Sequence, residues 1–558
     1  MRAPHARLAY DRLWHTTFVA SQPPGWHSTG DVGYVDDDGR LWMGGRVVDV
    51  IQTTRGAIAP VQLEQAIEAL SDVAMAAVVG IGPSDNQQIV AVVQLDTPPK
   101  KSGLADLDLI DRVRRVATET IGTDVVAVLS VPAMPVDRRH NSKIDRGQLR
   151  SWSAGVLEGK PLGMNKPPPV NTERLASSEA PMSDSSNDRT SPWFVSEPVA
   201  DQPGTAAMPV PGSTPSKGSL LDRAFNGPDP SSEPRAALKV LVTGSTSMIG
   251  NAVVDRLVSR GDEVTVIQRS PSGRSDVTEL QGSITDIDAV TRAVSGQDAV
   301  IHLAAKVDIV GELDEFVRVN VEGTTNMISA AREAGVSRFV HISSPSVAHG
   351  GESISGAGAE PADPDRTSGH YATTKAMAEQ LALAASSDDM PIVAIRPHLV
   401  IGPGDTQLVE RILDRARSGR MPLIGTGLAL VDVTWIDNAA DAMVAALDQS
   451  PNLGSRAYVI SNGEPRTIHE LIARITKAAN VEWSPRSVPR KVAILGGSLA
   501  EKIWARTGRD DEPPMTAFGA EQLSTAHWFN QRATRRALQW EPTISLDEGF
   551  AQLDEHYA

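Results

Sequence analysis

From Leu238 to the end of the chain, short apolar runs alternate with amphipathic stretches of helical length. KVLVTG is followed by NAVVDRLVSRG, EVTVIQR, AVIHLAA, NMISAAREAG, RFVHISS, ATTKAMAEQLALAA and IVAIRP. Parallel strands need long crossovers, and an α-helix is the usual one. This half is therefore expected to be α/β, with a Rossmann-type, doubly wound parallel sheet. The two halves of the chain differ in motif and element order, so no internal repeat is expected.

The remainder of the 558 residues divides in two. Residues 1–155 mix short apolar runs (Ala74–Ile81, Ile89–Leu95) with amphipathic stretches (Val61–Leu70, Ile110–Ile121), a small α+β pattern. Residues 156–236 are rich in Pro, Ser, Asp and Gly, as in NKPPPVNTERLASSEAPMSDSSND, with little apolar periodicity. Such a segment buries too little surface to offset its ordering entropy and is expected to be a flexible linker. Residues 237–558 then form the Rossmann-type domain. More than one core is natural at this length.

The formal net charge of −16 argues against bulk binding to nucleic acid or to an anionic membrane, both of which need a basic face. The absence of cysteine excludes disulfides, thiolate zinc sites and a cysteine nucleophile. No run approaches the roughly 18 apolar residues that span a bilayer. The start, MRAPHARLAYDRLW, lacks the apolar core of a secretory signal. A cytoplasmic, non-transmembrane protein is expected.

Three features of the second half carry chemistry. The first is KVLVTGSTSMIG. A buried strand runs into a tight turn at Gly244, and a helix starts near Ile249 and Gly250, with Gly250 allowing close packing on the strand. The helix N-terminus would meet a pyrophosphate with free N–H groups. Ser247 stands where the middle glycine of such turns usually lies. The second is the end of EVTVIQR, about twenty residues on, where an NAD enzyme places an acid on the ribose 2′-hydroxyl. Here Gln268 and Arg269 occupy that place, with Arg274 nearby, and a guanidinium suits a 2′-phosphate. NADP(H) is expected ahead of NAD(H), although ordinary surface arginines would give the same letters. The third is Tyr371-Ala-Thr-Thr-Lys375. Four residues apart on a helix, the two side chains share a face, and a nearby ammonium lowers a phenol pKa.

With these residues in view, the half resembles the extended short-chain dehydrogenase/reductases, and within them the 3β-hydroxysteroid dehydrogenase-like branch. VTGSTSMIG, VIHLAAKVD, NVEGTTNMISAA, RFVHISSPSVAHG, YATTKAMAEQ, IRPHLVIGPGD, VTWIDNAADAM and RALQWEPTISLDEGF follow in the family's order. The resemblance implies that Tyr371 is the general acid/base, that Lys375 tunes it and holds the nicotinamide ribose, and that Ser344 (or Ser343, one residue off) hydrogen-bonds the substrate oxygen. Gly244, Ser247, Ile249, Gly250, Arg269, Ala304, Ala305, Lys375 and Pro397 would contact the cofactor. Asn320 would sit near the active centre or act as a structural cap, and His398 would pack or line the substrate pocket.

The first region carries WHSTGDVGYVDDDGRLWMGGR, TTRGAIAPVQLEQAIEAL and PVDRRHNSKIDRGQL. This ordered set resembles the C-terminal portion of acyl-adenylate-forming enzymes. By that resemblance Asp31 would bind the AMP ribose, Arg46 would assist at ribose or phosphate, and Lys143 would bridge carboxylate and α-phosphate during adenylation. Most of that superfamily has glycine two residues before Ile144; this chain has Ser142. That form is similar to the β-lactone synthetases of bacterial olefin biosynthesis, whose pathway also contains a reductase of 2-alkyl-3-keto acids. The superfamily's large N-terminal subdomain with its phosphate loop is missing, and Val48, beside Asp49, holds the usual hinge position. ATP use is expected only if that core is supplied.

The function implied is NADPH-dependent reduction of a bulky lipid ketone, a 2-alkyl-3-keto acid, to the 3-hydroxy acid. The alternatives are a 3β-hydroxysteroid dehydrogenase, a nucleotide-sugar epimerase or dehydratase, and a non-catalytic scaffold. No metal and no nucleic acid are expected. A homodimer and partner enzymes of the olefin-biosynthesis type are the associations the resemblance suggests.

Overall fold

The computed structural model describes residues 29–136, 143–161, 236–307, 311–507, 513 and 515–558. Most of the expected linker, 162–235, lies outside the described residues, as do 1–28.

Seven strands form the central sheet of the second half: β1 (Lys239–Thr243), β2 (Glu263–Gln268), β3 (Thr278–Gln281), β4 (Ala299–His302), β5 (Arg338–Ile342), β6 (Ile392–Pro397) and β7 (Ala457–Ile460). Their spatial order is β3-β2-β1-β4-β5-β6-β7, and every neighbouring pair is parallel. This is the doubly wound sheet that the β-α alternation implies. Helices Met248–Ser259 and Ile436–Leu453 cover one face, packing Val253, Val254, Leu257, Ala439 and Met443 on Val240, Val242 and Ile301. Helices Ile287–Val294 and Gly323–Glu333 cover the other, against Leu241, Val300 and Phe339. Both sheet faces are dry, so the strands read as unbroken apolar runs rather than alternating ones.

A smaller four-stranded sheet lies beyond β7. Its order is Ile354–Ala357, His527–Phe529, Leu430–Val431, Arg466–Thr467. Along its second strand, His527 and Phe529 face His398, at ring-centroid distances of 6.1 and 5.0 Å. Trp528 points the other way, into the first domain's core.

That first domain is a four-stranded sheet in the order Val73–Ile81, Gln88–Leu95, Ala127–Ser130, Gly103–Leu104. Side chains alternate across it. Ala76, Val78, Ile89, Ala91 and Val93 face helices Pro60–Glu68 and Leu107–Ile121. Ala77, Val79, Ile81, Val90 and Val92 face helix Arg146–Leu157 together with Leu428, Leu430, Ala526 and Trp528 of the second half. The two halves therefore share one hydrophobic core. Gly82 is indispensable there: it has φ +92°, and a Cβ would stand 2.6 Å from the Trp528 ring. The terminal helix of this domain runs to Leu157, with Val156 and Leu157 buried.

Candidate active site

The turn after β1 is built as the glycines suggest. Gly244 has φ +73°, and a Cβ there would meet the Ala304 amide at 2.9 Å. A Cβ on Gly250 would stand 2.2 Å from the Gly244 carbonyl oxygen. Helix and strand can thus meet only with glycine at these places. Ser247 is the helix N-cap: its hydroxyl accepts from the Gly250 amide at 3.0 Å and donates to the Gly244 carbonyl at 2.8 Å. Serine at the middle position therefore satisfies a helix-end donor that glycine would leave open. Met248 and Ile249 supply the first-turn amides that a pyrophosphate would meet.

At the end of β2, buried Gln268 accepts from the Ser245 hydroxyl at 2.6 Å. Arg269 is exposed and, among the described residues, makes no hydrogen bond or ion pair. Arg274 is different. Its guanidinium holds Asp255 and Asp276, each at 2.6 Å, and the Asn251 side chain at 2.7 Å. Of the two arginines, only Arg269 is uncommitted. The donor set fits a nicotinamide dinucleotide: two glycines, a capped helix end and a free cation at the strand end.

Tyr371 and Lys375 share a face of helix His370–Ala384, beside the end of β5. Lys375 is buried, and its ammonium donates to the Ile342 carbonyl at 2.5 Å. Burial pulls its pKa down to about 8, opposed by the Glu379 carboxylate. Tyr371 is half-buried, with the Ser344 side chain beside its phenol. Burial raises the phenol pKa, and the Ser344 side chain opposes that. The Lys375 ammonium is turned onto the strand carbonyl. Ser344 starts the short turn Pro345–Ala348 and sits 2.9 Å from the Ser346 hydroxyl. Ser343 instead continues the sheet, its amide bonded to Ile395 at 2.7 Å, and its buried hydroxyl has no partner. The fold thus brings Ser344, not Ser343, to the phenol.

A buried polar network that motif reading missed supports this centre. The Ala304 amide donates to the Thr243 hydroxyl at 3.0 Å, and His302 bridges Thr243 (2.8 Å) and Thr324 (3.1 Å). Thr324 donates to the Asn320 carbonyl at 2.6 Å. The Asn320 amide group then clamps both backbone groups of Lys306 and reaches Thr374, next to Lys375, at 3.0 Å. Asn320 thereby ties the Ala304–Ala305 loop to helix His370–Ala384. The one available signal was a histidine inside the apolar run AVIHLAA, since a buried polar group needs partners. Pro397 ends β6, and His398 beyond it donates to the Asp432 carbonyl at 2.5 Å, with burial holding its pKa down to about 4.

In the first domain, Asp31 and Arg46 are cross-strand partners, 3.4 Å apart in the hairpin Asp31–Val35/Leu41–Arg46. Lys143 is exposed, and no hydrogen bond or ion pair joins it to them among the described residues. Residues 137–142 of the same motif lie outside the described set. Val48, at the expected hinge, accepts from Arg150 at 3.2 Å.

Comparison with known proteins agrees with this geometry. The model of the NAD dependent epimerase/dehydratase family matches residues 240–461. A 2-alkyl-3-oxoalkanoate reductase of Stenotrophomonas maltophilia is 40% identical over 325 residues, covering 57% of this chain and 98% of that protein. One from Shewanella oneidensis is 34% identical, covering 56% and 84%. A 3 beta-hydroxysteroid dehydrogenase/Delta 5-->4-isomerase of Mycobacterium tuberculosis is 30% identical, covering 57% and 90%. By its glycine turn, its Tyr371/Lys375 helix and these relatives, the chain belongs to the NAD-dependent epimerase/dehydratase family of extended short-chain dehydrogenase/reductases and is an NAD(P)-dependent oxidoreductase.

Proposed function

We propose that the protein reduces a 2-alkyl-3-keto acid to the 3-hydroxy acid with NADPH. The observation that carries the chemistry is the placement of Tyr371 and Lys375 one turn apart on helix His370–Ala384, with the Ser344 side chain beside the phenol. The substrate class rests on similarity to the 2-alkyl-3-oxoalkanoate reductases. A nicotinamide cofactor, when bound, supplies the hydride. Tyr371 donates its proton to the ketone oxygen as negative charge develops there. Ser344 hydrogen-bonds the same oxygen and holds it in line with the phenol. A phenol is protonated at neutral pH, the state a proton donor needs. Lys375 keeps a positive charge beneath the site, and Asn320 holds its helix against the Ala304–Ala305 loop. Arg269 selects the 2′-phosphate of NADPH.

For the first domain, the reading kept is the adenylate-former resemblance, with Asp31 and Arg46 at a nucleotide and Lys143 at the reacting phosphate.

The deciding experiment follows NADPH oxidation with a 2-alkyl-3-oxo acid and NAD reduction with a 3β-hydroxysteroid. Preference for the steroid would replace the substrate reading with the dehydrogenase one. Absence of both activities would end it.

A further inference from the structure

Helix Arg490–Thr507 lies after the short strand Ser487–Val488. Its inner face is tightly seated. Ala493 joins Ile424 and Ala520 in a small core, and a Cβ on Gly497 would stand 2.5 Å from the Ala517 amide. Glu501, the helix's one acid, turns inward to accept from that same amide at 2.8 Å. The outer face is apolar and open. Val492 is 58% exposed, Leu495 71%, Leu499 60% and Ile503 45%. At 3.6 residues per turn these four fall within an arc of about 80°. Phe518, on the neighbouring helix Ala517–Gln522, is also exposed.

A stripe of this size on a soluble face calls for a partner. Its border identifies the chemistry. Lys491 and Lys502 lie along one edge, Arg506 continues the line of the stripe, and Arg490 opens the helix, all four exposed. In a chain of net charge −16, the exposed charged side chains of this helix are, among the described residues, all cations, since Glu501 is turned inward. Apolar residues flanked by Lys and Arg match the acyl boundary and the phosphates of an anionic bilayer. The supporting helix also leads to the candidate active site: its Glu521 lies against Gly351, in the segment that follows the Ser344 turn.

We propose that helix Arg490–Thr507 docks the protein on an anionic lipid surface, its axis in the membrane plane, with Val492, Leu495, Leu499 and Ile503 in the acyl boundary. The overall charge argues against binding by the protein as a whole; this helix is the local exception.

The test is flotation of the full chain with phosphatidylcholine vesicles and with vesicles of phosphatidylcholine and phosphatidylglycerol in equal parts. Binding is expected only to the anionic vesicles, and to weaken with salt. Leu495→Gln with Leu499→Gln, and separately Lys491→Glu with Lys502→Glu, should each lower the bound fraction by about tenfold or more. Both variants should keep the parent melting temperature and its turnover of a water-soluble ketone. Undiminished binding in folded variants would overturn the proposal. So would no binding by the parent, including the case in which the parent is a dimer that Leu495→Gln with Leu499→Gln makes monomeric.

Discussion

Arg114 and Glu470, 356 residues apart, meet in a buried two-pronged ion pair that joins the first domain to the reductase. Both are almost wholly buried. Around them Arg466 bonds Asp124 at 2.7 Å, and Arg474 bonds both Glu470 (2.8 Å) and Asp111 (2.5 Å). Three guanidiniums and three carboxylates alternate across the seam. Such a network is specific rather than strongly stabilising, because desolvation offsets much of its attraction.

Breaking it from one side is costly. Arg114→Met should destabilise by about 3–5 kcal/mol, because Glu470 would keep its charge with fewer partners. The double variant Arg114→Met/Glu470→Met should recover part of that loss. Chemical denaturation of the full chain measures both, and a double variant no better than the single would refute this account.

The same pair fixes an acid limit. Burial would raise the Glu470 pKa, but Arg114, Arg466 and Arg474 hold it at about 2, below its ordinary 4.5. A depressed carboxylate pKa contributes stability that is present above the unfolded value and lost as pH falls through the folded one. The contribution should be complete above about pH 5 and vanish between roughly 4.5 and 2. Stability curves of the parent and Glu470→Gln should converge in that window. Parallel curves would count against it.

The two adjacent serines should separate cleanly. Tyr371→Phe should lower kcat by about 10²–10⁴ with cofactor binding intact. Ser344→Ala should cost about tenfold, the worth of one hydrogen bond to a developing charge. Ser343→Ala removes a buried hydroxyl that has no partner, so activity and stability should hold or improve. A reversed order of Ser343 and Ser344 would reassign the substrate hydrogen bond.

Cofactor choice is expected to follow Arg269. Arg269→Ala should weaken NADPH binding by roughly tenfold to a hundredfold and leave NADH nearly unchanged. Arg274→Ala should instead lower the melting temperature, since it loses Asp255 and Asp276. Fluorescence titration of both variants with both cofactors decides this.

Trp528 should link the first domain to the site. Trp528→Ala should cost about 3–5 kcal/mol. Because Phe529 and His527 pack on His398 from the same strand, KM for the ketone should also rise while NADPH affinity stays. An unchanged KM in the folded variant would confine Trp528 to stability.

Much of the reductase was legible in the letters. Apolar runs and helical patterns are local, and VTGSTSMIG and YATTK place backbone and side chains over spans of only five to nine residues. Ser344 over Ser343 was not legible, because a one-residue step at the end of β5 decides which hydroxyl leaves the sheet. Nor were the His302–Thr324–Asn320 links, whose members are scattered along the chain and meet only when β1 and β4 pair. The apolar run that ends at Ile81 is buried on both sheet faces from Ala76 on, but its letters do not say that Trp528 covers one of them.

By itself the sequence determined the parallel sheet, the glycine turn and the Tyr371–Lys375 face, since each depends on local sterics and short spacing. Only the tertiary structure decided that the first domain shares the reductase's core, that Ser247 is a helix cap, and that the Lys375 ammonium turns onto the Ile342 carbonyl. Those outcomes depend on desolvation and on contacts between distant segments, which no local spacing encodes.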